Sequence, residues 1–334
     1  MIDIQFFKKG MVLVALSLFG FSANAQKSNV NRASSALTNE NFDKAKEFIL
    51  LALENAETKT QAQTWYYKGR VYENLLIRSK TLNDTVLGLA DETIEAYQKA
   101  IALDKDKKAD YKNSAAEHLK GMTPILMNKV SEPFNNGDYT LAKEVLLRVV
   151  ALEPNIQNYT YLASAAYNTQ DYELSFSSFE KLVELGHQDE AIYNNLISTG
   201  SILKKNVDSL LVYVLQARSK YPKNKLFIYN HINLLENKEN PNEDTLVAMY
   251  EEILLLDPND ENALFNIGVV YFNRGVLANN AKALKSEVKA LYEKALVYLE
   301  KAHQLKPSDK QISSVLKKDY VLLGMTEKAD ALGE

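Results

Sequence analysis

The chain has 334 residues, of which 46% are hydrophobic and 25% are charged, and its formal net charge is −4 at pH 7. This composition is that of an ordinary globular protein, and the acidic balance argues against nucleic acid or an anionic membrane surface as the main partner. The absence of cysteine excludes disulfides, thiolate catalysis, cysteine-based metal sites and a lipid-modified cysteine of the lipoprotein type.

The first 25 residues have the pattern of a secretory signal peptide. Two lysines precede an apolar run over residues 11–21, and the small residues that a signal peptidase requires follow at residues 23–25. The run is shorter than the roughly 20 apolar residues that a membrane-spanning helix needs. We therefore expect a mature chain that begins near Gln26, has no transmembrane segment and is exported to the periplasm or secreted. Peripheral association with the envelope is left open.

Two later segments share one helical pattern. Residues 65–72 (Trp-Tyr-Tyr-Lys-Gly-Arg-Val-Tyr) and 264–271 (Leu-Phe-Asn-Ile-Gly-Val-Val-Tyr) each place a glycine four residues after a large residue and three before a tyrosine. At this spacing the three residues lie on one face of a helix. We expect a second helix to cross close to Gly69 and Gly268.

A position that is mostly small recurs along the chain at intervals of 33 to 36 or 48 to 49 residues. Its residues are Ala45, Thr93, Ala142, Ser175, Leu210, Leu246, Ala295 and Ala329. Six of the eight are small, as a close approach between two helices requires. The pattern therefore predicts that each of these residues is buried where two helices approach closely.

Proline and turn residues mark where the predicted helices end and begin. Four of the seven prolines, Pro154, Pro222, Pro258 and Pro307, share one position relative to this repeat. A helix is expected to end just before each of them, because proline lacks an N–H and disfavours helical geometry in the preceding residue. Residues 136–139 and 170–172 place Gly, Asn or Asp where a tight turn and a helix cap are needed.

These features resemble the tetratricopeptide repeat, a helix–turn–helix unit of 34 residues. The resemblance covers roughly residues 28–334 and includes both Gly69 and Gly268 with their flanking large residues. It implies an all-α fold, a right-handed superhelical solenoid of stacked antiparallel helix pairs. The first helix of each pair is called helix A below, and the second is called helix B. The resemblance places the recurring, mostly small position on helix B.

The resemblance also divides the chain. A signal peptide over residues 1–25 is expected to be followed by about seven repeats over 26–308 and by a capping helix with a short stub over 309–334. Three segments exceed the repeat length, near residues 75–91, 105–122 and 273–287, and are interpreted mainly as lengthened helices. Whether they are ordered is left open.

Three Asp-Thr/Ser-aliphatic triplets resemble the O-glycosylation acceptor of Bacteroidetes-type bacteria. Their hydroxyl residues are Thr85, Ser209 and Thr245. Helix capping by the Asp or the Ser/Thr of each triplet is the favoured interpretation, and glycosylation is the alternative. Exported proteins of such bacteria also often begin with Gln after cleavage, as Gln26 would here, so the sequence resembles an exported protein of this bacterial type.

No motif for catalysis or for metal binding is present in the sequence. The four histidines, His118, His187, His231 and His303, are too far apart for a compact metal motif. Asp257, Asp260 and Glu261 open a predicted helix A, where a capping role is favoured over a catalytic pair. There is no phosphate-binding loop, no nucleophile elbow and no calcium-binding loop. We therefore predict no enzyme activity, no cofactor and no metal.

The resemblance implies that ligands bind at the helix A positions that point away from helix B. Here these positions are Tyr66, Arg70, Glu73, Thr160, Ser164, Tyr167, Asn194, Phe265, Val269, Phe272 and Asn273. Since Arg70 is the only cation among them, they do not resemble the Lys/Arg/Asn clamp with which some family members hold a C-terminal carboxylate. We expect a scaffold or adaptor of the cell envelope that binds a protein or peptide segment along this groove. A periplasmic protein that binds glycans or small ligands is the alternative.

Overall fold

The computed structural model describes residues 29–80, 82–105, 110–238 and 240–332. Within these ranges all regular secondary structure is helical. The chain divides into two compact units, Met1–His187 (unit 1) and Gln188–Glu334 (unit 2). The predicted signal peptide lies outside the described residues.

Each unit is a succession of helices in which every helix contacts the next one along the chain. In unit 1 these are α1 over residues 29–38, α2 Phe42–Glu54, α3 Ala62–Arg78, α4 Asp84–Leu103, α5 Tyr111–Asn135, α6 Tyr139–Leu152, α7 Ile156–Asn168 and α8 Tyr172–Glu184. In unit 2 they are α9 Glu190–Ile202, α10 Val207–Lys220, α11 Lys225–Glu236, α12 Glu243–Leu256, α13 Glu261–Asn280, α14 Lys285–Leu305, α15 Lys310–Leu322 and α16 Thr326–Ala331. Odd-numbered helices are helix A of a pair and even-numbered helices are helix B. The predicted all-α architecture of stacked helix pairs is confirmed.

The eight recurring small positions are all buried on helix B, as predicted. Seven of them are inaccessible or nearly so, and the most exposed, Leu246, shows 5% of its surface. The two hydroxyl residues among them satisfy their polar groups locally. Thr93 Oγ1 donates to the carbonyl oxygen of Leu89 at 2.7 Å, and Ser175 Oγ donates to that of Ala163 in the partner helix at 3.2 Å. A small polar residue is therefore tolerated at this contact because its hydroxyl finds a backbone acceptor.

The predicted close approach at the two glycines is also confirmed. A Cβ atom on Gly268 of α13 would lie 2.7 Å from Leu299 Cγ and 3.4 Å from the backbone nitrogen of Leu299 in α14. A Cβ atom on Gly69 of α3 would overlap the ring of Tyr97 in α4. Gly275, which the sequence pattern did not indicate, makes the same kind of contact with Tyr292 of α14.

Helix ends follow the proline and turn signals. Helices α6, α10, α12 and α14 each end two residues before one of the four prolines. In the turns between helix A and helix B, Gly137 has φ of 79° and Gln170 has φ of 58°. Asp138 and Asp171 then cap the next helix, since each side chain accepts a hydrogen bond from a backbone N–H of the first turn. Both predicted turns are confirmed.

The capping interpretation of the three Asp-Thr/Ser triplets was wrong in its choice of residue. Helices α4, α10 and α12 are capped by Asn83, Asn206 and Asn242, whose side chains accept the capping hydrogen bonds. An asparagine stands one or two residues before each triplet and competes well for this position. The hydroxyl residues Thr85, Ser209 and Thr245 are exposed.

The segments that exceed the repeat length are mainly helical. Helices α3 and α4 are both lengthened around the first of them, and α13 and α14 are both lengthened around the third. The second forms the first half of α5, except for residues 106–109, which lie outside the described residues. The stub expected after the capping helix also contains structure. Gly324, with φ of 76°, ends α15, and the short helix α16 follows with Ala329 buried against the core of unit 2.

We expect Gly268→Ala to destabilise unit 2 by about 1–3 kcal/mol, because the added methyl group must displace Leu299 and its backbone. Gly88→Ala is the matched control. Gly88 lies inside α4 and is exposed, and a methyl group added there would have no atom within 4 Å. Its replacement should therefore stabilise by about 0.5–1 kcal/mol through helix propensity. Urea unfolding followed by circular dichroism measures both. Equal effects of the two substitutions would contradict the close approach at Gly268.

A second prediction concerns Asp319 of α15, which is completely buried and whose carboxylate oxygens have no hydrogen-bond partner among the described residues. Burial, with a smaller contribution from Glu300, raises the pKa of Asp319 to about 7. The unfolded chain releases this proton near the ordinary pKa of about 4, so the contribution of Asp319 to stability falls as the pH rises from about 4 through about 7.

Asp319→Asn removes this titration. The variant should therefore gain stability over the wild-type protein as the pH is raised from about 5 to about 8, as measured by thermal unfolding at each pH. Asp330→Asn, an exposed substitution on α16, is the control and should not change the pH dependence. A difference between Asp319→Asn and the wild type that is independent of pH would show that Asp319 is not protonated in the folded protein.

Candidate functional site

The helix A face of unit 1 opens as a groove between α1 and α3 with a volume of about 510 Å³. Apolar, polar, cationic and acidic side chains line it together, and the acidic one, Glu40, is paired with Arg78 at 3.2 Å. The others include Ser34 and Leu37 of α1, Phe42 of α2, and Tyr66, Arg70 and Ile77 of α3. Tyr66 and Arg70 are two of the predicted binding residues. This α1/α3 groove is the site at which the structure brings them to one accessible surface.

Arg70 is held at the edge of this groove by its neighbours. One of its terminal nitrogens, Nη1, donates a hydrogen bond to the hydroxyl oxygen of Tyr66 at 3.3 Å. Its Nε is buried and has no hydrogen-bond partner among the described residues, since the nearest carboxylate oxygen, of Glu73, is 3.6 Å away. Burial opposes the charge, but the hydrogen bond to Tyr66 and the neighbouring groups leave the pKa of Arg70 raised. The guanidinium is therefore a positioned cation, and its side chain is still 37% exposed at the groove.

Glu73 was predicted to point away from helix B, and the structure corrects this. Its side chain is buried, and Oε2 accepts a hydrogen bond of 2.7 Å from the hydroxyl group of Tyr97 in α4, which is helix B of the same pair. His118 Nδ1 of α5 lies 3.2 Å from Oε1. The correction has a physical cause: the lengthened first half of α5 covers this end of α3. Glu73 joins three helices and is not open to a ligand.

An aromatic cluster surrounds this buried carboxylate. The ring of Tyr66 lies 5.3 Å from that of Tyr111 and 6.0 Å from that of His118, both on α5. The ring of His118 stacks on that of Tyr97 at 5.4 Å with an interplanar angle of 13°. Burial and the Glu73 carboxylate raise the pKa of Tyr97 well above its usual range, so its hydroxyl group keeps the donated proton.

Tyr111 and His118 were not predicted to belong to this site. They are seven residues apart, so both lie on one face of α5. That spacing was visible in the sequence, but the helix that this face contacts was not.

The other predicted residues of unit 1 lie on α7. Thr160 is exposed and donates from Oγ1 to the carbonyl oxygen of Ile156 at 2.8 Å. Ser164 is half-buried, and Tyr167 is 41% exposed with its ring edge-on to Tyr172 at 5.7 Å. The spacing of these three residues places them on one face of α7, and their role in binding stays a prediction.

In unit 2 the predicted residues divide between packing and exposure. Phe265 and Phe272 of α13 are half-buried and pack against the hydrophobic core. Val269 is half-buried, as is Asn194 on α9, and Asn273 is exposed. Binding at these positions also stays a prediction.

Phe272 lines a second groove, between α13 and α15, with a volume of about 800 Å³. The other side of this α13/α15 groove is formed by residues that the sequence predicted only as part of a cap. They are Lys310, Lys317, Lys318, Val321 and Leu322 of α15 together with three serines. The helix A surface of unit 2 is therefore richer in cations than the predicted positions suggested.

The acidic residues at the start of α13 have the structural role that the sequence favoured. Asp260 caps the helix by accepting from the backbone N–H of Ala263 at 3.0 Å, and it also accepts from Lys225 Nζ at 2.8 Å and from the hydroxyl group of Tyr229 at 2.5 Å. Burial would raise the pKa of Asp260, but these three donors outweigh it and the pKa is lowered.

Two further structural tests bear on function. Among the described residues, no three His, Asp or Glu side chains are grouped so that they could hold a metal ion. Within the same residues, no helix combines the length and the apolar character needed to cross a membrane.

No family model matches this chain, and no curated protein matches it. Several solved structures are similar to it. YrrB, a tetratricopeptide protein with an unusual peptide-binding site, is 19% identical, with 67% of this chain and 99% of that chain covered and a TM-score of 0.42. A tetratricopeptide protein from Bacteroides fragilis NCTC 9343 is 16% identical, with 60% and 98% covered and a TM-score of 0.43. The tetratricopeptide domain of P58(IPK) is 16% identical, with 97% of both chains covered and a TM-score of 0.34.

All three TM-scores lie below 0.5 and carry nothing over to the binding residues of this chain. Its own helix pairs, with their close glycine contacts and buried small positions, agree with the repeat pattern in the sequence. The chain has a tetratricopeptide-type fold.

In this tetratricopeptide-type array we expect Tyr97→Phe to cost about 1–3 kcal/mol of stability, because it removes a hydrogen-bond donor from the buried Glu73 carboxylate. Tyr167→Phe, which removes the same hydroxyl group from an exposed ring, is the control and should change stability by less than about 0.5 kcal/mol. Thermal unfolding of both variants measures the difference. Equal stability of the two variants would mean that the Tyr97–Glu73 hydrogen bond does not hold the pair together.

Proposed function

We propose that this protein is a non-enzymatic interaction scaffold that binds a peptide segment of a partner protein on its helix A surfaces, with the α1/α3 groove as the contact in unit 1. Export to the cell envelope is part of the proposal and rests on the signal-peptide pattern of residues 1–25. The main supporting observation is the guanidinium of Arg70, which lines an accessible groove, belongs to a side chain that is 37% exposed and is positioned by the hydroxyl group of Tyr66.

The composition of the groove favours a peptide. Leu37, Phe42 and Ile77 supply apolar contacts, while Ser34 and Arg70 supply hydrogen-bonding groups between them. A peptide presents both kinds of group in alternation, with side chains for the apolar surface and main-chain carbonyl oxygens for the donors. Arg70 suits such carbonyl or carboxylate oxygens because its donors are planar and always charged.

The alternative, glycan binding, has less support at this site. A sugar ring stacks on an open aromatic face, and Tyr66 is the aromatic residue nearest to Arg70 in the groove. The rings of Tyr67, Tyr97, Tyr111 and His118 all lie within 6.4 Å of the Tyr66 ring. These neighbours pack around the Tyr66 ring and so compete with a sugar for its face.

Selection of peptides from a random library displayed on phage tests the proposal with the full chain as the target. We expect an enriched peptide whose affinity falls about tenfold or more in Arg70→Gln, because a charge-assisted hydrogen bond contributes about 1.5–3 kcal/mol. Arg148→Gln is the matched control. Arg148 lies on α6 of the same unit, where it pairs with Asp91 at 2.6 Å, and its replacement should leave the affinity unchanged.

Circular dichroism and thermal unfolding of both variants establish that they are folded. If no peptide is enriched, or if the enriched peptides bind Arg70→Gln as well as the wild type, the proposed site is wrong. Specific stabilisation by oligosaccharides or cell-wall fragments in a thermal-shift screen, in the absence of an enriched peptide, would instead support the glycan alternative.

A further inference from the structure

The α13/α15 groove of unit 2 joins an apolar surface to a row of cations. Val321 and Leu322 of α15 are 55% and 48% exposed, and with Phe272 of α13 they form its apolar part. Lys310, Lys317 and Lys318 line the same groove, and no carboxylate side chain of the described residues lines it with them. This local excess of positive charge stands out in a chain whose net charge is −4.

Two of the three lysines have no ion-pair partner among the described residues. Lys310 lies at the start of α15 and Lys318 two turns further along, so both project from one side of that helix. The acidic residue nearest to Lys310 in sequence, Asp309, is occupied as the cap of α15, where Oδ1 accepts from the backbone N–H of Gln311 at 2.9 Å and of Ile312 at 3.2 Å. Among the described residues, the charges of Lys310 and Lys318 are therefore not neutralised by an ion pair.

Exposed apolar side chains next to unpaired cations are complementary to one kind of ligand. An acidic peptide can place carboxylates on the lysines and an apolar side chain against Val321 and Leu322 at the same time. A flat anionic bilayer would reach the lysines, but it would not fill a concave groove of about 800 Å³. The shape of the groove therefore favours a peptide over a membrane surface.

We propose that the α13/α15 groove binds an acidic peptide segment that also carries apolar side chains, with Lys310 and Lys318 holding carboxylates and Val321 and Leu322 contacting an apolar side chain. The proposal rests on the proposed scaffold function in that both require peptide binding. It adds a second site, in unit 2, with a ligand chemistry of its own.

Fluorescence anisotropy with defined peptides and the full-length chain tests it. The probe is a labelled peptide of about 12 residues in which glutamates alternate with leucines, flanked by glycine–serine pairs. Two control probes carry glutamine in place of glutamate or alanine in place of leucine. We expect the acidic, leucine-containing peptide to bind at least about tenfold more tightly than either control, and its affinity to fall as the salt concentration rises.

Charge-matched variants locate the site. We expect the double substitution Lys310→Glu and Lys318→Glu to weaken binding by about tenfold or more. The double substitution Lys220→Glu and Lys223→Glu makes the same change in net charge at exposed positions near the end of α10, and it should have little effect. If both double variants bind the peptide equally well, the contact is not in the α13/α15 groove and the inference is overturned.

Apolar variants test the other half of the groove. Val321→Ser with Leu322→Ser should weaken binding, whereas Val212→Ser with Leu215→Ser, two α10 residues that are each 52% exposed, should not. Circular dichroism shows whether each variant is folded. Equal binding by these two double variants would contradict the apolar contact.

Two more outcomes separate this inference from its alternatives. Binding to phosphatidylserine vesicles through Lys310 and Lys318, without binding of the acidic peptide, would overturn it in favour of a membrane surface. Arg70→Gln in unit 1 should leave the affinity for the acidic peptide unchanged. If Arg70→Gln abolishes that binding and the lysine variants do not, the inference fails while the proposed function stands. Failure of every peptide at both grooves would overturn both.

Discussion

The close approach of helix A to helix B within each pair is the contact on which the rest of the structure depends. At Gly268 there is no room even for a methyl group beside Leu299, and small residues such as Ala295 occupy the facing helix. The lengthened pair α13/α14 repeats the contact further along, where Gly275 meets Tyr292. An insertion that lengthens both helices together keeps this packing, which explains how the array accommodates segments of about half a repeat.

Polar contacts then determine which surfaces stay open. Glu73 is engaged by Tyr97 and His118 and so fastens α3 to α4 and α5, and Asp260 is similarly engaged by Lys225 and Tyr229. These two buried carboxylates are satisfied by side chains of the protein itself, whereas the oxygens of Asp319 have no hydrogen-bond partner among the described residues. Other donors, on Arg70 and on the first and last lysines of the α15 row, lie at groove edges instead.

The fold could be predicted from the sequence because it depends on a residue pattern that repeats along the chain. Small residues, glycines and prolines recur at fixed intervals, and each has a local physical reason that a single chain displays. The site was less predictable because it depends on contacts between pairs. Glu73 has the spacing of an open position, and only the placement of Tyr111 and His118 on α5 shows that it is covered. Asn83, Asn206 and Asn242 could have been recognised as caps, since asparagine is favoured there.

The lysines of α15 are a second case in which the sequence alone did not predict a site. Lys310, Lys317 and Lys318 are spaced to share one face of a helix, which alone indicates only a solvated surface. They become a candidate site because α13 places Phe272 across from them and because Val321 and Leu322 are left exposed beside them. A capping helix must cover the last apolar face of an array, and its outer surface is then free to vary. A capping helix can therefore carry ligand-binding residues that the repeat pattern of the sequence does not predict.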